Sequence, residues 1–477
     1  MRYFKKKENQ RELLFLGAIF LYLFLWAVIQ PYNVSPDEYM RYDIVEYLVK
    51  YGKLPHGGDP EIRNATWGIS YAFNPILAYM FMAVFVRITM FFTDNFNTLL
   101  MAARIANVLL GTATAFFVLR ISKRLFVTEA RLLFVSLVCL LPGAVFLFSY
   151  VNSDGLALFS TAWIVYAWTR TLDEGWTWKN CVLLAAGISV CGLSYYNAYG
   201  FALCSIFFFV ATALMSREKR WDWKFLFSRG FAIAGIVFAL IGWWFIRNYV
   251  IYDGDFLGQR TSNWYMEMYA IEPYKPSIRP TFQELKKSIL DMYLYVAKNY
   301  PHNWILTVAC SFVGEFGYMS IHMPYWLSKT YFALFGGGLL SAILHWKRLL
   351  YFRTRIKIKT KTSLTGERAT VRLLIFGQHW DRRGLFQISM AVAMVIPFAL
   401  LTWYSYASDY QAQGRYLMPM LIPFMYFITR GYEYLAERFV KRETARRWIY
   451  RGGAALFAAF SLGTYLFVFL PVYIGWE

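Results

Sequence analysis

Long apolar runs separated by short polar segments dominate the pattern along the chain. A run of about twenty apolar residues is the length that an α-helix needs to cross a membrane. The strongest candidate spans are 12–30, 100–120, 132–150, 154–170, 180–197, 198–215, 229–250, 327–346, 385–406, 415–431 and 452–473. The pattern therefore predicts an all-α polytopic membrane protein with about 11 transmembrane helices, in which residues 1–477 form a single integral membrane domain.

A further apolar stretch, 71–92, decides the orientation of every helix that follows it. It contains Asn74-Pro75 and Arg87, which interrupt the apolar pattern. Lys and Arg collect in the cytoplasmic loops of membrane proteins, and the basic segments 120–131 and 347–384 would face outward if 71–92 crossed. We therefore expect 71–92 to be a juxtamembrane or partly inserted element on the outer side, the N-terminus to be cytoplasmic and the C-terminus to be outside.

This topology gives the chain two long outer segments and one long cytoplasmic loop. The first outer loop, 31–99, is expected to hold juxtamembrane helices, one near 38–51 and one within 71–92. The second long outer loop, 251–326, has a proline-rich start and a short apolar patch near its end. The basic loop 347–384 is predicted to be a solvated cytoplasmic segment.

Composition supports a membrane protein and argues against other classes. Hydrophobic residues make up 58% of the chain and the mean hydropathy is +0.37, whereas a soluble domain is roughly 45–50% apolar. The net charge of +20 falls mostly on the predicted cytoplasmic face, where anionic lipid attracts it, so no nucleic acid is implied. The five cysteines lie in apolar segments without metal-ligand spacing, which predicts neither disulfides nor a zinc site.

The unusual polar residues fall at the outer ends of the predicted helices. They are Asp37, Glu38, Asn152, Asp154, Arg247, Glu315, Asp409, Gln413 and Arg415. Ionisable residues at membrane depth are costly and mark functional sites by default. Their position along the outer boundary indicates a reaction at the outer leaflet rather than an ion path through the bilayer.

Several of these residues also have a purely structural explanation. Residues 35–38, Ser-Pro-Asp-Glu, match a capping box in which Ser35 caps a helix and Glu38 bonds back to it. Asp154 suits the first turn of a helix and Arg247 suits a helix C-terminus, because each complements the helix dipole. Both explanations stay open for these positions.

Arg415 is harder to explain by local structure alone. It is predicted to lie in the first turn of a helix, where the dipole disfavours a cation. Gly414 beside it lets another backbone approach closely, and a planar guanidinium suits phosphate. We therefore predict that Arg415 binds phosphate; the alternative is an ion pair with Asp409 or another outer acid.

The order of these motifs resembles the membrane glycosyltransferases of the C superfold. In that family an N-terminal helix is followed at once by outer acids, then by juxtamembrane helices and by a second acid in the next outer turn. Residues 35–38, 74–79 and 152–154 match that order.

The chain is also similar to a bacterial polytopic membrane family catalogued as a domain of unknown function. The motifs that carry this similarity are 36–38, 245–255, 311–318 and 413–419. Members of that family often place a histidine shortly after the acids, whereas here Tyr39, Met40 and Arg41 follow.

The resemblance implies an enzyme that moves a sugar from a polyprenyl-phosphate-linked donor to a glycan, lipid or protein acceptor. The reaction would occur on the extracytoplasmic side of a bacterial plasma membrane. We expect Asp37 to act as the base, and we expect the roles of the other residues to follow from the same resemblance. Glu38 and Asp154 would assist or orient, Arg415 and less directly Arg247 would bind the donor phosphate, and Asn152, Glu315, Asp409 and Gln413 are additional candidates.

Some relatives bind a divalent metal at paired acids, and Asp37 with Asp154 is the pair that would do so here. Two other functional classes stay open. The main alternative is a transporter or flippase of lipid-linked glycans, although the inverted repeats typical of transporters are not visible in this sequence. The other is a non-enzymatic membrane scaffold, which would leave Arg415 with only a local ion pair.

Overall fold

The computed structural model describes residues 7–214, 222–298, 300–350, 357–362, 368–373 and 382–475. The helices are α1 (Lys7–Ile29), α2 (Glu38–Tyr51), α3 (Leu77–Thr89), α4 (Phe96–Leu125), α5 (Ala130–Cys139), α6 (Pro142–Leu147), α7 (Asp154–Glu174), α8 (Trp178–Gly192), α9 (Tyr199–Leu214), α10 (Trp223–Ile251), α11 (Gln259–Tyr269), α12 (Ile289–Leu294), α13 (Trp304–Gly314), α14 (Tyr325–Leu344), α15 (Trp346–Leu350), α16 (Arg382–Ala407), α17 (Leu421–Phe439), α18 (Glu443–Thr464) and α19 (Leu470–Ile474).

Short 3₁₀ turns and two hairpins complete the described part of the chain. The 3₁₀ turns are Tyr71–Phe73, Tyr196–Ala198, Glu272–Tyr274, Pro276–Ile278 and Gly414–Met420, and a π-helical turn, Tyr465–Phe469, joins α18 to α19. The antiparallel hairpins are β1 (Glu315–Phe316) with β2 (Ile321–His322), and β3 (Lys357–Thr362) with β4 (Arg368–Leu373). The all-α prediction omitted both hairpins; β3 and β4 fall in the basic loop 347–384, half of which lies outside the described residues.

Seven helices in the described ranges are long and apolar enough to cross a membrane. They are α1, α4, α9, α10, α14, α16 and the continuous run from α18 to α19. Four other predicted spans are shorter, broken or more polar. They correspond to α5 with α6, to α7, to α8, and to the turn Gly414–Met420 with α17.

The predicted span 132–150 is not one continuous helix. The helix breaks after Cys139, and α6 starts with Pro142 at its first position. Proline is favoured there because the first helical residue needs no N–H donor. The polar chain reversal that follows α6 then leads directly into Asp154.

Helix α3 is too short to cross a membrane. Its 13 residues extend about 20 Å at 1.5 Å per residue, whereas the apolar core of a bilayer is about 30 Å thick. It packs against α2 and α4. This length agrees with the prediction that 71–92 does not cross, and α2 occupies the range predicted for the other juxtamembrane helix.

The capping box predicted at residues 35–38 is wrong. The N-cap of α2 is Asp37, which has φ 59 and ψ 20 and makes no side-chain capping bond. The Ser35 hydroxyl donates instead to Oε1 of Gln30 at 2.5 Å. The left-handed turn at Asp37 sends its carboxylate and that of Glu38 in different directions.

Glu38 forms a buried ion pair with Arg104 of α4. Arg104 Nε donates to Oε1 at 2.8 Å and Nη2 donates to Oε2 at 2.6 Å. The three remaining guanidinium N–H groups donate to the carbonyl oxygens of Ala27, Gln30 and Pro31 at 3.0, 2.6 and 3.0 Å. Because a guanidinium has five N–H donors, every donor of Arg104 is used.

The Glu38 carboxylate also accepts hydrogen bonds from the backbone. The N–H of Val151 donates to Oε1 at 3.1 Å and the N–H of Asn33 donates to Oε2 at 3.2 Å. The pair therefore connects the end of α1, the start of α2, the first half of α4 and the turn before α7. A buried ion pair with such complete hydrogen bonding fixes the positions of these segments relative to one another.

Helices α14 and α17 pack closely through glycine. The Ser341 hydroxyl donates to the carbonyl oxygen of Gly431 at 2.8 Å. A Cβ on Gly431 would overlap the carbonyl of Gly338, whereas a Cβ on Gly336 would meet nothing within 4 Å. The sequence indicated that glycines 336–338 serve helix packing, and Gly338 does so.

We expect Gly431→Ala to destabilise the protein and Gly336→Ala to leave it unchanged or slightly more stable. Both changes replace a helical glycine, so both gain the same helix propensity, but only Gly431→Ala forces two backbones apart. The expected cost is about 1–3 kcal/mol. Thermal unfolding in detergent measures it, and equal melting temperatures for the two variants would contradict the close packing.

We expect Arg104→Ala to lower the free energy of unfolding by about 3–5 kcal/mol, because it leaves a buried carboxylate without its partner. The matched control is Arg348→Ala. Arg348 pairs with Glu437 through side chains that are 59% and 49% exposed, and such a pair contributes only about 0–1 kcal/mol. An Arg104→Ala protein as stable as the control would show that the buried pair is not structural.

Candidate active site

Asp37 lies at the centre of a cluster of charged and phenolic groups. Its Oδ2 atom accepts a hydrogen bond from the Tyr71 hydroxyl at 2.8 Å and one from Arg415 Nη2 at 3.1 Å. The Asp37 side chain is 24% exposed and that of Arg415 is 11% exposed. The carboxylate is therefore held by fixed donors and is still reachable from outside.

The cluster keeps Asp37 ionised at neutral pH. Burial raises the pKa of Asp37, but the guanidinium groups of Arg415 and Arg41 and the Tyr71 hydroxyl outweigh burial and hold the pKa below the ordinary aspartate value. The carboxylate is thus in the form that accepts a proton.

A second ion pair lies beside the first. Arg41, one turn into α2, donates from Nη1 to Oδ2 of Asp154 at 3.2 Å, and both side chains are buried. The Arg41 guanidinium also lies 4.5 Å from the centre of the Tyr71 ring. Tyr71 therefore contacts both pairs, and Asp37, Asp154 and Arg415 lie in one cluster.

Both arginines have donors to spare. Nε of Arg41 and both Nε and Nη1 of Arg415 are buried without a hydrogen-bond partner in the described ranges. A buried donor left unpaired costs about 1–3 kcal/mol, and more when it is charged. Guanidinium groups bind phosphate with several N–H donors, so the cluster suits an anionic ligand.

The backbone places Arg415 by a close contact. The N–H of Gly414 donates to the Ser311 hydroxyl at 2.6 Å. A Cβ on Gly414 would overlap the backbone of Phe312. The predicted close approach at Gly414 is confirmed, but Arg415 lies in a 3₁₀ turn and not in the first turn of an α-helix.

Asn152 shapes the turn that presents Asp154. Its Nδ2 donates to the carbonyl oxygens of Leu147 and Tyr150 at 2.7 and 3.0 Å, and its Oδ1 accepts from the N–H of Gly155 at 2.9 Å. Asn152 is completely buried. Its contacts fix the start of α7 and with it the position of Asp154.

Arg247 contacts the loop between α2 and α3 rather than the cluster. It donates from Nη2 to the carbonyl oxygen of Pro55 at 2.6 Å and from Nη1 to Asn248 Oδ1 at 3.2 Å. Its guanidinium lies 5.3 Å from the Trp244 ring. None of these partners contacts Asp37, Asp154 or Arg415 in the described hydrogen bonds.

Glu315 belongs to a hairpin that packs beside the Asp37 turn. Its Oε1 lies 3.4 Å from Nδ1 of His322, and burial raises its pKa to about 7. The Tyr318 hydroxyl in the same hairpin donates to Asn33 Oδ1 at 2.7 Å. The hairpin therefore borders the site without a described hydrogen bond to the cluster.

Asp409 is not the partner of Arg415. It accepts from Arg279 Nη2 at 2.7 Å and from Gln411 Nε2 at 2.7 Å. Gln413 donates to Gln411 Oε1 at 3.2 Å. The ion pair that the sequence left open for Arg415 does form, and its acid is Asp37.

Three residues of the site were missed by sequence reasoning: Arg41, Tyr71 and Arg104. Arg41 follows Asp37 by four positions at a helix start, and this spacing places two side chains on one face. Arg104 stands inside the apolar run 100–120, where an unpaired arginine would be costly. Tyr71 carries no comparable signal in the sequence.

The cluster fits an anion better than a divalent cation. The described residues contain no group of three or more His, Cys, Asp or Glu that could hold a metal ion. Asp37 and Asp154 each face a guanidinium, which would compete with a metal for the same oxygens. The pairing of Asp37 with Asp154 around a metal therefore has no support in this geometry.

Comparison with known proteins gives a family and a fold. Residues 54–424 match the family described as "Predicted membrane protein (DUF2142)". The matched range includes Asp154 and Arg415 and begins after Asp37. No curated protein matches the chain.

Among solved structures, the chain is similar to an oligosaccharyltransferase from Archaeoglobus fulgidus. The apo form has 14% identity and a TM-score of 0.52, over 99% of this chain and 56% of that chain. The complex of the enzyme, AglB, with an inhibitory peptide and a dolichol-phosphate has 12% identity and a TM-score of 0.52, over 99% and 56%. The form tethered to an acceptor peptide with the NVT sequon has 13% identity and a TM-score of 0.53, over 97% and 55%.

The chain thus spans little more than half the length of these structures. Identities this low establish a shared fold and nothing more. The chain belongs to the DUF2142 family of predicted membrane proteins, and its helices adopt the glycosyltransferase C fold that its motifs resemble.

Proposed function

We propose that the protein is a glycosyltransferase that moves a sugar from a polyprenyl-phosphate-linked donor to an acceptor on the extracytoplasmic side of a plasma membrane. The observation that carries the proposal is the Asp37–Arg415 pair. A partly exposed carboxylate lies 3.1 Å from a guanidinium that has unused donors. A proton acceptor and a cation for the leaving phosphate are the two groups that this reaction needs.

The fold supports this proposal. One structure of AglB, which has the same fold, contains a dolichol-phosphate, and that molecule is a polyprenyl phosphate. A donor of this kind carries its own leaving group, so the protein needs no nucleotide-binding domain. The acceptor is a glycan, a lipid or a protein.

In the proposed reaction the acceptor oxygen forms a bond to C1 of the sugar while the bond from C1 to the phosphate oxygen breaks. Asp37 takes the proton of the acceptor hydroxyl. The electron pair of the broken bond stays on the phosphate, which becomes more negative by one unit. Arg415 and Arg41 stabilise that charge through their unused N–H donors.

The donor also activates the base in this scheme. Arg415 contacts Asp37 directly, so a phosphate that binds Arg415 competes with that ion pair. The guanidinium then lowers the pKa of Asp37 less, while burial continues to raise it. Asp37 becomes a stronger base when the donor is in place.

The remaining candidate residues position the Asp37–Arg415 pair. Glu38 anchors the start of α2 through Arg104, and Asp154 holds Arg41 in place. Arg247 holds the first outer loop at Pro55. We assign these three to the geometry of the site rather than to contact with the reacting atoms.

We expect Asp37→Asn to abolish sugar transfer with little change in folding. The matched control is Asp253→Asn. Asp253 also has a left-handed backbone, φ 48 against φ 59 at Asp37, and Asn tolerates that conformation, so both variants keep their backbone. The assay incubates purified protein with a panel of polyprenyl-phosphate sugars and measures the release of polyprenyl phosphate.

Wild-type activity in Asp37→Asn would rule out Asp37 as the base. The same purified protein in vesicles separates transfer from transport. Movement of the donor lipid across the bilayer without any covalent product would favour a flippase over the proposed enzyme.

The pH profile distinguishes the two outer carboxylates. Each carboxylate accepts a proton only above its own pKa. The pKa of Asp37 is lowered, so kcat/KM, which reports the free enzyme, should stay flat as the pH falls from 8 to about 5. The pKa of Glu315 is about 7, so Glu315 as the base would give a loss of activity centred near pH 7. If activity is lost near pH 7 and Glu315→Gln is inactive, the base is Glu315 and not Asp37.

A further inference from the structure

A row of polar side chains leads away from Arg415. Asp409, Gln411 and Gln413, which we name the polar ladder, lie in a segment without helix or strand. Gln411 Nε2 donates to Asp409 Oδ2 at 2.7 Å, and Gln413 Nε2 donates to Gln411 Oε1 at 3.2 Å. Alternate residues of an extended segment point to one side, so the ladder ends beside Arg415.

The opposite side of the same segment is packed into the protein. Ala412 is fully buried and Gly414 contacts Phe312, whereas the three ladder residues are only partly buried. The segment therefore has a core side and an accessible polar side, and the accessible side ends at Gln413, two residues before Arg415.

Tyr300 lies near both the ladder and the charged pair. Burial raises the pKa of its hydroxyl, and Gln413, Asp409 and Arg415 are all close enough to shift that pKa. At the far end, Arg279 pairs with Asp409. Arg279 also lies 5.7 Å from the ring of Trp67.

These groups have the chemistry of a binding site for an uncharged sugar. Each amide offers both donors and acceptors, which suits hydroxyl groups. The one charged member, Asp409, is already neutralised by Arg279 at 2.7 Å, so the ladder has no free charge for an amino sugar or a uronic acid. Two residues of extended chain advance roughly 7 Å, which is comparable to one hexose unit.

We propose that the polar ladder binds the hydroxyl groups of an uncharged donor sugar while Arg415 holds the phosphate of the same donor. This assignment rests on the proposed transferase function. It makes Gln411 and Gln413 the residues that determine sugar specificity, and it leaves the chemical step to Asp37.

The test uses Gln411→Ala and Gln413→Ala in the full-length protein, with Gln283→Ala as the matched control. Gln283 is an exposed glutamine of the second long outer loop. The panel comprises polyprenyl-phosphate donors that carry a neutral hexose, an amino sugar or a uronic acid. We expect the wild type and the control to prefer the neutral hexose. Each ladder variant should lose about tenfold in kcat/KM for that donor and little for the others.

Binding of polyprenyl phosphate without a sugar separates the ladder from the phosphate site. The ladder variants should bind it as the wild type does, and Arg415→Gln should bind it weakly. An active wild type whose donor preference is unchanged in the ladder variants would overturn the assignment. So would an equal loss for all donors together with weakened polyprenyl phosphate binding. A wild type that releases polyprenyl phosphate from no donor would instead contradict the proposed function itself.

Discussion

The buried pair between Glu38 and Arg104 sets the geometry on which the site depends. Arg104 uses all five of its N–H donors in hydrogen bonds to Glu38 and to three carbonyl oxygens at the end of α1. A helix end normally leaves carbonyl groups without partners, and here a side chain from α4 satisfies them. Glu38 points inward to Arg104, and Asp37, the residue before it, has a left-handed conformation. The carboxylate of Asp37 then faces Tyr71 and Arg415.

This arrangement explains why two adjacent acids have different environments. Glu38 is completely buried and accepts hydrogen bonds on both oxygens. Asp37 is 24% exposed and has its described hydrogen bonds on Oδ2 alone. A saturated carboxylate holds structure in place, whereas a partly accessible one can meet a substrate. The two side chains divide these tasks because the backbone between them turns through positive φ.

Position along the chain was enough to predict Asp37, Asp154 and Arg415 as neighbours, because successive helix ends meet at one side of a bundle. Position along the chain was not enough to predict which acid pairs with which arginine. Asp37 and Arg415 are 378 residues apart in sequence, and Arg41 and Asp154 are 113 apart. The capping rule also gave a wrong prediction at residues 35–38, where Glu38 pairs with the distant Arg104 and no capping box forms. Arg247 matched a family motif, but its contacts are with Pro55 and Asn248.

The net charge of the cluster becomes more positive during the proposed reaction. Before transfer, two aspartates balance two arginines, and the donor phosphate carries one negative charge. After Asp37 accepts the proton, Asp154 alone opposes Arg41 and Arg415, so the cluster becomes positive by one unit. At the same time the departing phosphate becomes more negative by one unit. The attraction therefore grows as the reaction proceeds, which favours the transition state over the bound donor. The proton transfer itself creates the cation that the leaving group requires.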